Sequence, residues 1–287
     1  MKPLTLGLLQ CNFRSAFDEE IAQVAQVAGP KSPMGPDDVR FNHELVMAQM
    51  RVAVADGAKL LLTPESYLDG WSCNKDILDR VVTTVPGPET DELGALAGQL
   101  GVWLCAAMFI REGRQVFNAC VIINDSGGVQ GIYRKAHETK SALESMRYDL
   151  GDDLPVFDTP WGVAGVLICH DRWYPEAARA LRRRGAEMIL NPVAAATMGP
   201  YHPYHEIHHC VLRAQAYLHG VFWCSCNSAN HGGYSMVIAP DGSVIARAGG
   251  DQENLIIRID PDGYSSYDFV SNVRDDLYRV EPRPATK

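Results

Sequence analysis

The chain has 287 residues, 46% of them hydrophobic and 21% charged, and carries a net charge of −9. A chain of this size and composition can build a sizeable core, as one large domain or two small ones. Its negative balance repels phosphate backbones and anionic membrane surfaces, which argues against nucleic acid or membrane as a partner, and no stretch approaches the ~20 apolar residues a bilayer span needs.

The opening MKPLTLGLLQCNF lacks a long apolar run and a small-residue cleavage site. It therefore reads as a first strand over 4–11, not an export signal. Residues 14–40 are irregular and rich in Gly and Pro, a long connection that suggests a flap over a site. A helix follows from Asp38, taken as its N-cap, to Asp56, with Gly57 ending it. Residues 59–63 form a short apolar strand of the kind buried on both faces. A helix over 88–100 stops at Gly101, and a strand runs over 102–110. Strands at 118–124 and 129–134 flank Asp125-Ser126-Gly127-Gly128, a hairpin turn by composition.

Residues 163–168 read as another buried strand, 174–184 as a helix, and 187–191 as a strand. A helix over 205–219 and a strand over 221–226 follow. A meander of 234–239, 244–247 and 255–260 ends the pattern, and the chain from about 262 reads as a polar tail or arm. Antiparallel hairpins between βα units exclude a plain Rossmann sheet. A layered sandwich with two sheets inside and helices outside accommodates the order. The eight cysteines (11, 73, 105, 120, 169, 210, 224 and 226) include no CxxC pair, and several lie in apolar runs. Reduced thiols and a cytoplasmic location are the expectation. The run Arg182-Arg183-Arg184 reads as a solvated helix face.

Three residues carry the chemistry. Cys169 follows the apolar run Gly165-Val166-Leu167-Ile168 and precedes a helix. A thiol at a strand-to-helix turn is exposed to backbone N–H groups that stabilise a thiolate and an oxyanion. A buried, inert cysteine is the other reading. Glu65 closes 60–64 behind Pro64, where a partly buried carboxylate suits a general base; a turn or cap residue is the alternative. Lys135 closes the strand 131–134, and an ammonium there lowers a neighbouring thiol's pKa, unless it is plain surface charge. All three stand just past a strand, where α/β sites gather.

Pro64-Glu65, Tyr133-Arg134-Lys135-Ala136-His137 and Leu167-Ile168-Cys169-His170-Asp171 with Pro175-Glu176 resemble the signatures of the nitrilase, or carbon–nitrogen hydrolase, superfamily. The resemblance runs from Leu4 to about Asp260. It implies a four-layer α-β-β-α sandwich over one domain of 1–287, no cofactor or metal, and a homodimer or higher homo-oligomer. It also implies a second glutamate between the lysine and the cysteine, matched by Glu144 with Glu138 as the fallback. The long segment 14–40 and His170 after the nucleophile depart from the usual pattern.

The run Cys169-His170-Asp171-Arg172 resembles that of N-carbamoyl amino acid amidohydrolases and β-ureidopropionases, which place an arginine three residues after the cysteine. Arg172 is thus a candidate clamp for a substrate carboxylate, or else a salt-bridge partner of Asp171 or Glu176. His170, Trp173 and Asn191 complete the candidate substrate-binding set. The expected reaction is Cys-Glu-Lys hydrolysis of a non-peptide C–N bond, in an N-carbamoyl amino acid or related carboxylated amide, with release of ammonia. An amidase, ω-amidase or nitrilase acting on a neutral small molecule is the alternative. A Cys–His peptidase using His137 or His170 leaves Lys135 and Glu65 idle, and a non-catalytic scaffold leaves the three-residue constellation unexplained. The cluster His202, His205, His208 and His209 has metal-like spacing but no HExxH, and helix-face or interface histidines are the simpler reading.

Overall fold

The computed structural model describes residues 1–15, 35–71, 75–138, 148–195 and 203–277. Two six-stranded sheets organise them. Sheet one holds β1 (Leu4–Gln10), β2 (Leu60–Leu62), β3 (Trp103–Glu112), β4 (Gln115–Ile123), β5 (Val129–Arg134) and β12 (Glu253–Ile259), in the order β12-β1-β2-β3-β4-β5. Sheet two holds β6 (Val156–Thr159), β7 (Gly162–Val166), β8 (Met188–Val193), β9 (Phe222–Asn227), β10 (Met236–Ile238) and β11 (Val244–Arg247), in the order β11-β10-β9-β8-β7-β6. β1, β2 and β3 are mutually parallel, as are β7, β8 and β9, and the outer pairings are antiparallel.

Period-two side-chain alternation lets each central strand feed two cores. Cys105 and Ala107 of β3 face inward, to pack with Leu6, Leu8 and Leu62 against Val166, Leu190 and Cys224 of sheet two. Leu104, Ala106 and Met108 face outward, onto Val46 and Met50 of α1 (Pro36–Ala55) and Leu93 and Leu96 of α3 (Pro88–Leu100). Sheet two turns Ile189 and Trp223 outward onto Ala178 and Leu181 of α4 (Pro175–Arg183) and Leu212 and Ala216 of α5 (Pro203–His219). The result is the expected α-β-β-α sandwich. A Cβ on Gly165 would stand 2.8 Å from Leu181 Cδ1, so the missing side chain lets α4 press onto the strand that leads to Cys169.

Several boundaries differ from the sequence reading. α1 starts at Pro36, with Gly35 at the N-cap; Asp38 is its N3 residue, and its carboxylate accepts from Gly35 N at 3.1 Å. Proline at the first helical position is what moves the start. β6 and the short helix α2 (Lys75–Val81) escaped the pattern, because each is too short to show a period. In the first part of the C-terminal stretch, Tyr264 packs edge-on to Phe222 at 5.7 Å, and Tyr267 and Phe269 meet Tyr217. Most of the suggested flap, 16–34, lies outside the described residues. Among the described residues, no helix is long and apolar enough to cross a membrane.

Candidate active site

The ends of β2, β5 and β7 meet at one edge of the sandwich. β2 runs into Thr63-Pro64-Glu65, and Glu65 N donates to Val193 O of sheet two at 3.3 Å. That bond draws the glutamate into the seam between the sheets, where it is fully buried. Glu65 Oε1 accepts from Asn118 Nδ2 and from Lys135 Nζ, both at 2.8 Å, and Oε2 accepts from Ala194 N at 3.1 Å. Lys135 follows β5 and is anchored by its own backbone, with N donating to Asn118 O at 2.8 Å and O accepting from Gly151 N at 2.9 Å. Its ammonium also binds Glu138 and stands 4.9 Å from the centroid of the Trp71 ring. Tyr148 Oη donates to Glu138 at 2.7 Å.

Burial by itself would lower the pKa of Lys135, but the charge of Glu65, followed by those around Tyr148, Cys169 and Glu138, holds it well above the ordinary lysine range. The ammonium is therefore a fixed positive charge in a water-poor site.

Cys169 opens a 3-10 turn, Cys169–Trp173, that joins the end of β7 to α4. Its φ of 43° lies in the left-handed region, which a non-glycine residue adopts only when its surroundings impose it. The thiol is half-buried. Burial and the charge of Glu65 push it up to about 11, while Arg172, Lys135 and the N–H of Ala194 pull the other way. Burial thus favours the neutral thiol, and the Ala194 N–H serves both it and Glu65. Glu65 and Lys135, far apart in sequence, are in direct contact, and the charges of both act on Cys169.

The remaining candidates separate. Arg172 is almost fully buried; its Nη1 lies 3.2 Å from Cys169 Sγ, and its guanidinium stands 5.0 Å from the centroid of the Trp173 ring. Trp173 packs on, edge to face, against His208 at 6.3 Å. His170 is half-buried beside Tyr174, with burial first among the causes that lower its pKa. Asn191 does not face the site. Its Nδ2 donates to Leu167 O at 2.6 Å, and its Oδ1 accepts from Trp223 Nε1 and Ser225 Oγ at 3.2 and 3.3 Å. Those bonds occupy the amide and stitch β8 to the segment that leads to Cys169, which corrects its place among the substrate-binding candidates.

Glu144 lies outside the described residues, as do His202 and the side chain of His205. Asn118 and the Ala194 amide were missed by the sequence reading. An asparagine inside an apolar strand (Val116-Phe117-Asn118-Ala119) was the available signal for the first; a backbone donor leaves none.

A sandwich of two mixed sheets, with a buried carboxylate–ammonium pair beside a strained cysteine, fits a hydrolase of carbon–nitrogen bonds. The chain belongs to the carbon–nitrogen hydrolase family, whose sequence model matches residues 21–268, and with it to the nitrilase superfamily. It is 30% identical over 268 residues to a hydrolase encoded in the pqqF 5' region of Pseudomonas protegens, covering 88% of this chain and 90% of that one. It is 28% identical over 271 residues to an N-carbamoylputrescine amidase of Solanum tuberosum, covering 85% and 90%. Its fold matches a solved variant of the amidase from Nesterenkonia sp. AN1 with a TM-score of 0.76 and 21% identity, over 96% of both chains.

Proposed function

We propose that this carbon–nitrogen hydrolase acts on a carbamoyl group whose nitrogen substituent bears a nearby carboxylate, such as an N-carbamoyl α- or β-amino acid. Glu65 accepts the Cys169 proton, and the thiolate attacks the carbamoyl carbon. Lys135 and the backbone N–H of His170 hold the developing oxyanion. Glu65 returns the proton to the departing amine, leaving a carbamoyl thioester. It then directs water onto that carbon, which frees the thiol and yields carbamate, and this falls apart to ammonia and carbon dioxide.

The observation that carries the substrate reading is the guanidinium 3.2 Å from the attacking sulfur. An arginine so close to the reacting carbon can reach a carboxylate only a few bonds away, and it binds such a group through paired N–H donors. The potato relative's name, N-carbamoylputrescine amidase, supports the carbamoyl half of the reading.

An ammonia-release panel tests it: N-carbamoyl α-amino acids of both hands, N-carbamoyl-β-alanine, N-carbamoylputrescine, ω-amides and aromatic nitriles. The carboxylated carbamoyl compounds should give the highest kcat/KM. A preference of about tenfold or more for a neutral or cationic substrate would overturn the carboxylate reading. Arg172→Ala should raise KM for carboxylated substrates by roughly 10- to 100-fold, the weight of a charge-assisted pair, and leave neutral ones much less affected.

A further inference from the structure

Asp171 lies two residues beyond Cys169 and is fully buried, yet the reaction just described makes no use of it. Its carboxylate gathers donors from both sheets. Oδ2 accepts from Ile168 N, on the approach to the nucleophile, at 2.9 Å and from Tyr133 Oη of β5 at 2.7 Å. Oδ1 accepts from His137 N at 2.8 Å and lies 2.9 Å from His137 Nδ1. Tyr133 and His137 flank Lys135 in the chain, and Ile168 precedes Cys169. The same two segments meet again where the His137 and Tyr174 rings stack, centroids 4.1 Å apart and planes inclined by 17°.

We infer that Asp171 is a positioning residue that sets the spacing between Lys135 and Cys169 by clasping the strand exit of one sheet to the nucleophile turn of the other. The inference rests on the reading of Cys169 and Lys135 as reacting groups. A carboxylate suits the task because it is acceptor-only with room for four donors. An amide in its place would turn an NH2 toward a buried N–H and leave a donor without a partner. The clasp also bears on the strained backbone at Cys169. The bond from Ile168 N holds the residue just before the left-handed φ, where strain persists only if neighbouring bonds over-determine it. The two ties are separable: Tyr133 reaches only the Lys135 strand, whereas Ile168 N reaches only the nucleophile turn.

The test uses Asp171→Asn, Tyr133→Phe and their combination, with kcat, KM and the rate at which iodoacetamide alkylates Cys169. Displacing a reacting group by about 1 Å costs on the order of a hundredfold in rate. Asp171→Asn should therefore lower kcat by about that factor with KM within about threefold of the parent. Tyr133→Phe should lower kcat by roughly tenfold while alkylation stays within about twofold, because the turn that holds the sulfur keeps its own tie. The double variant should be no slower than Asp171→Asn alone, since one bond cannot be lost twice.

Folded Asp171→Asn protein with kcat within about threefold of the parent, or a double variant slowed by the product of the two singles, would overturn the inference. If Asp171→Asn does not fold, Tyr133→Phe and His137→Ala decide, and parental kcat in both would overturn it. Turnover surviving in Cys169→Ala is a separate outcome: it removes the reading of the reacting groups, whatever the clasp variants do.

Discussion

Sheet one from β12 to β5 and sheet two from β6 to β11 run through the same series: antiparallel, parallel, parallel, antiparallel, antiparallel. The registers match as well. The ladder ending at Leu8–Leu62 in sheet one corresponds to the one ending at Val166–Leu190 in sheet two, so Cys11 and Cys169 each stand three residues beyond the last pair of their ladder. Their fates differ. Cys11 is fully buried, and burial alone pushes its thiol far above the ordinary range. Cys169 is half-buried, in a left-handed backbone, beside an arginine.

The residues that follow explain the divergence. After Cys11 come Phe13, which joins the outer core against Tyr67, and Arg14, which pairs with Asp38 at the surface at 3.1 Å. After Cys169 come Asp171, which draws in donors from both sheets, and Arg172, which turns back onto the sulfur. One connectivity thus yields a packed strand end in one half and a half-open, polar one in the other. The difference lies in the two residues that decide whether the next turn packs apolar or closes polar.

The sharpest way to break this comparison is to remove each sulfur. Cys169→Ala should lower kcat by about 10⁴-fold or more with an unchanged melting temperature. Cys11→Ala should leave kcat within about twofold and cost about 1 kcal/mol of stability, as a small buried void does. Thermal melts with ammonia-release assays check both, and comparable losses of activity in the two variants would end the distinction.

The seam between the halves gives the next effect. Glu65 and Lys135 form a buried pair, and removing one partner of such a pair costs about 3–5 kcal/mol through the charge left behind. Glu65→Gln and Lys135→Met should each lose activity and that much stability in denaturant unfolding. The double variant should regain part of the stability, since Glu138 still loses its ammonium partner, and none of the activity. A double variant as unstable as the sum of the singles would show that the pair is not the seam's electrostatic link.

These contrasts also mark how far the sequence was legible. The three candidate side chains stood out because each closes a strand, and a strand end is recognisable from apolar runs and turn residues. Most strands were found within two or three residues for the same reason. Asn191 was misplaced because a buried amide that satisfies Leu167 O looks, in sequence, like any polar residue near a strand end. The duplicated connectivity was invisible, since it resides in hydrogen-bond register and not in residue identity; Cys11 and Cys169 share no flanking motif. The shared Ala194 N–H belongs to a backbone, which no side-chain pattern reports.

Arg172 supplies a finer test of the same divergence. Cys169 should be alkylated by iodoacetamide with a pH dependence that follows a group titrating near 11. Arg172 favours the thiolate, so its removal must raise that value. Arg172→Gln should therefore slow alkylation by roughly tenfold at a fixed pH below the midpoint, and Arg14→Gln should leave it unchanged. Equal rates in the parent and Arg172→Gln proteins would mean that the guanidinium does not act on the sulfur.

The smallest effect separates the two β-connections that correspond between the halves. β3 and β4 are joined by a tight hairpin, whereas β9 and β10 are joined through the 3-10 turn Ala229–His231, which reaches across to Cys11 O. That longer connection buries His231, whose Nδ1 lies 2.6 Å from Ser228 Oγ, and burial lowers its pKa to about 3. An unfolded chain's histidine titrates near 6.5. Between these values the unfolded state binds more protons, so the contribution is complete above about pH 6.5 and is lost as the pH falls toward 3. At pH 5.5 the loss from this one group is about 1 kcal/mol, rising as the solution becomes more acid. Urea unfolding at pH 7.5 and 5.5 measures it, and His231→Gln should flatten the difference by that amount. A pH dependence unchanged in His231→Gln would show that the histidine is not what sets the longer connection apart from the tight hairpin of sheet one.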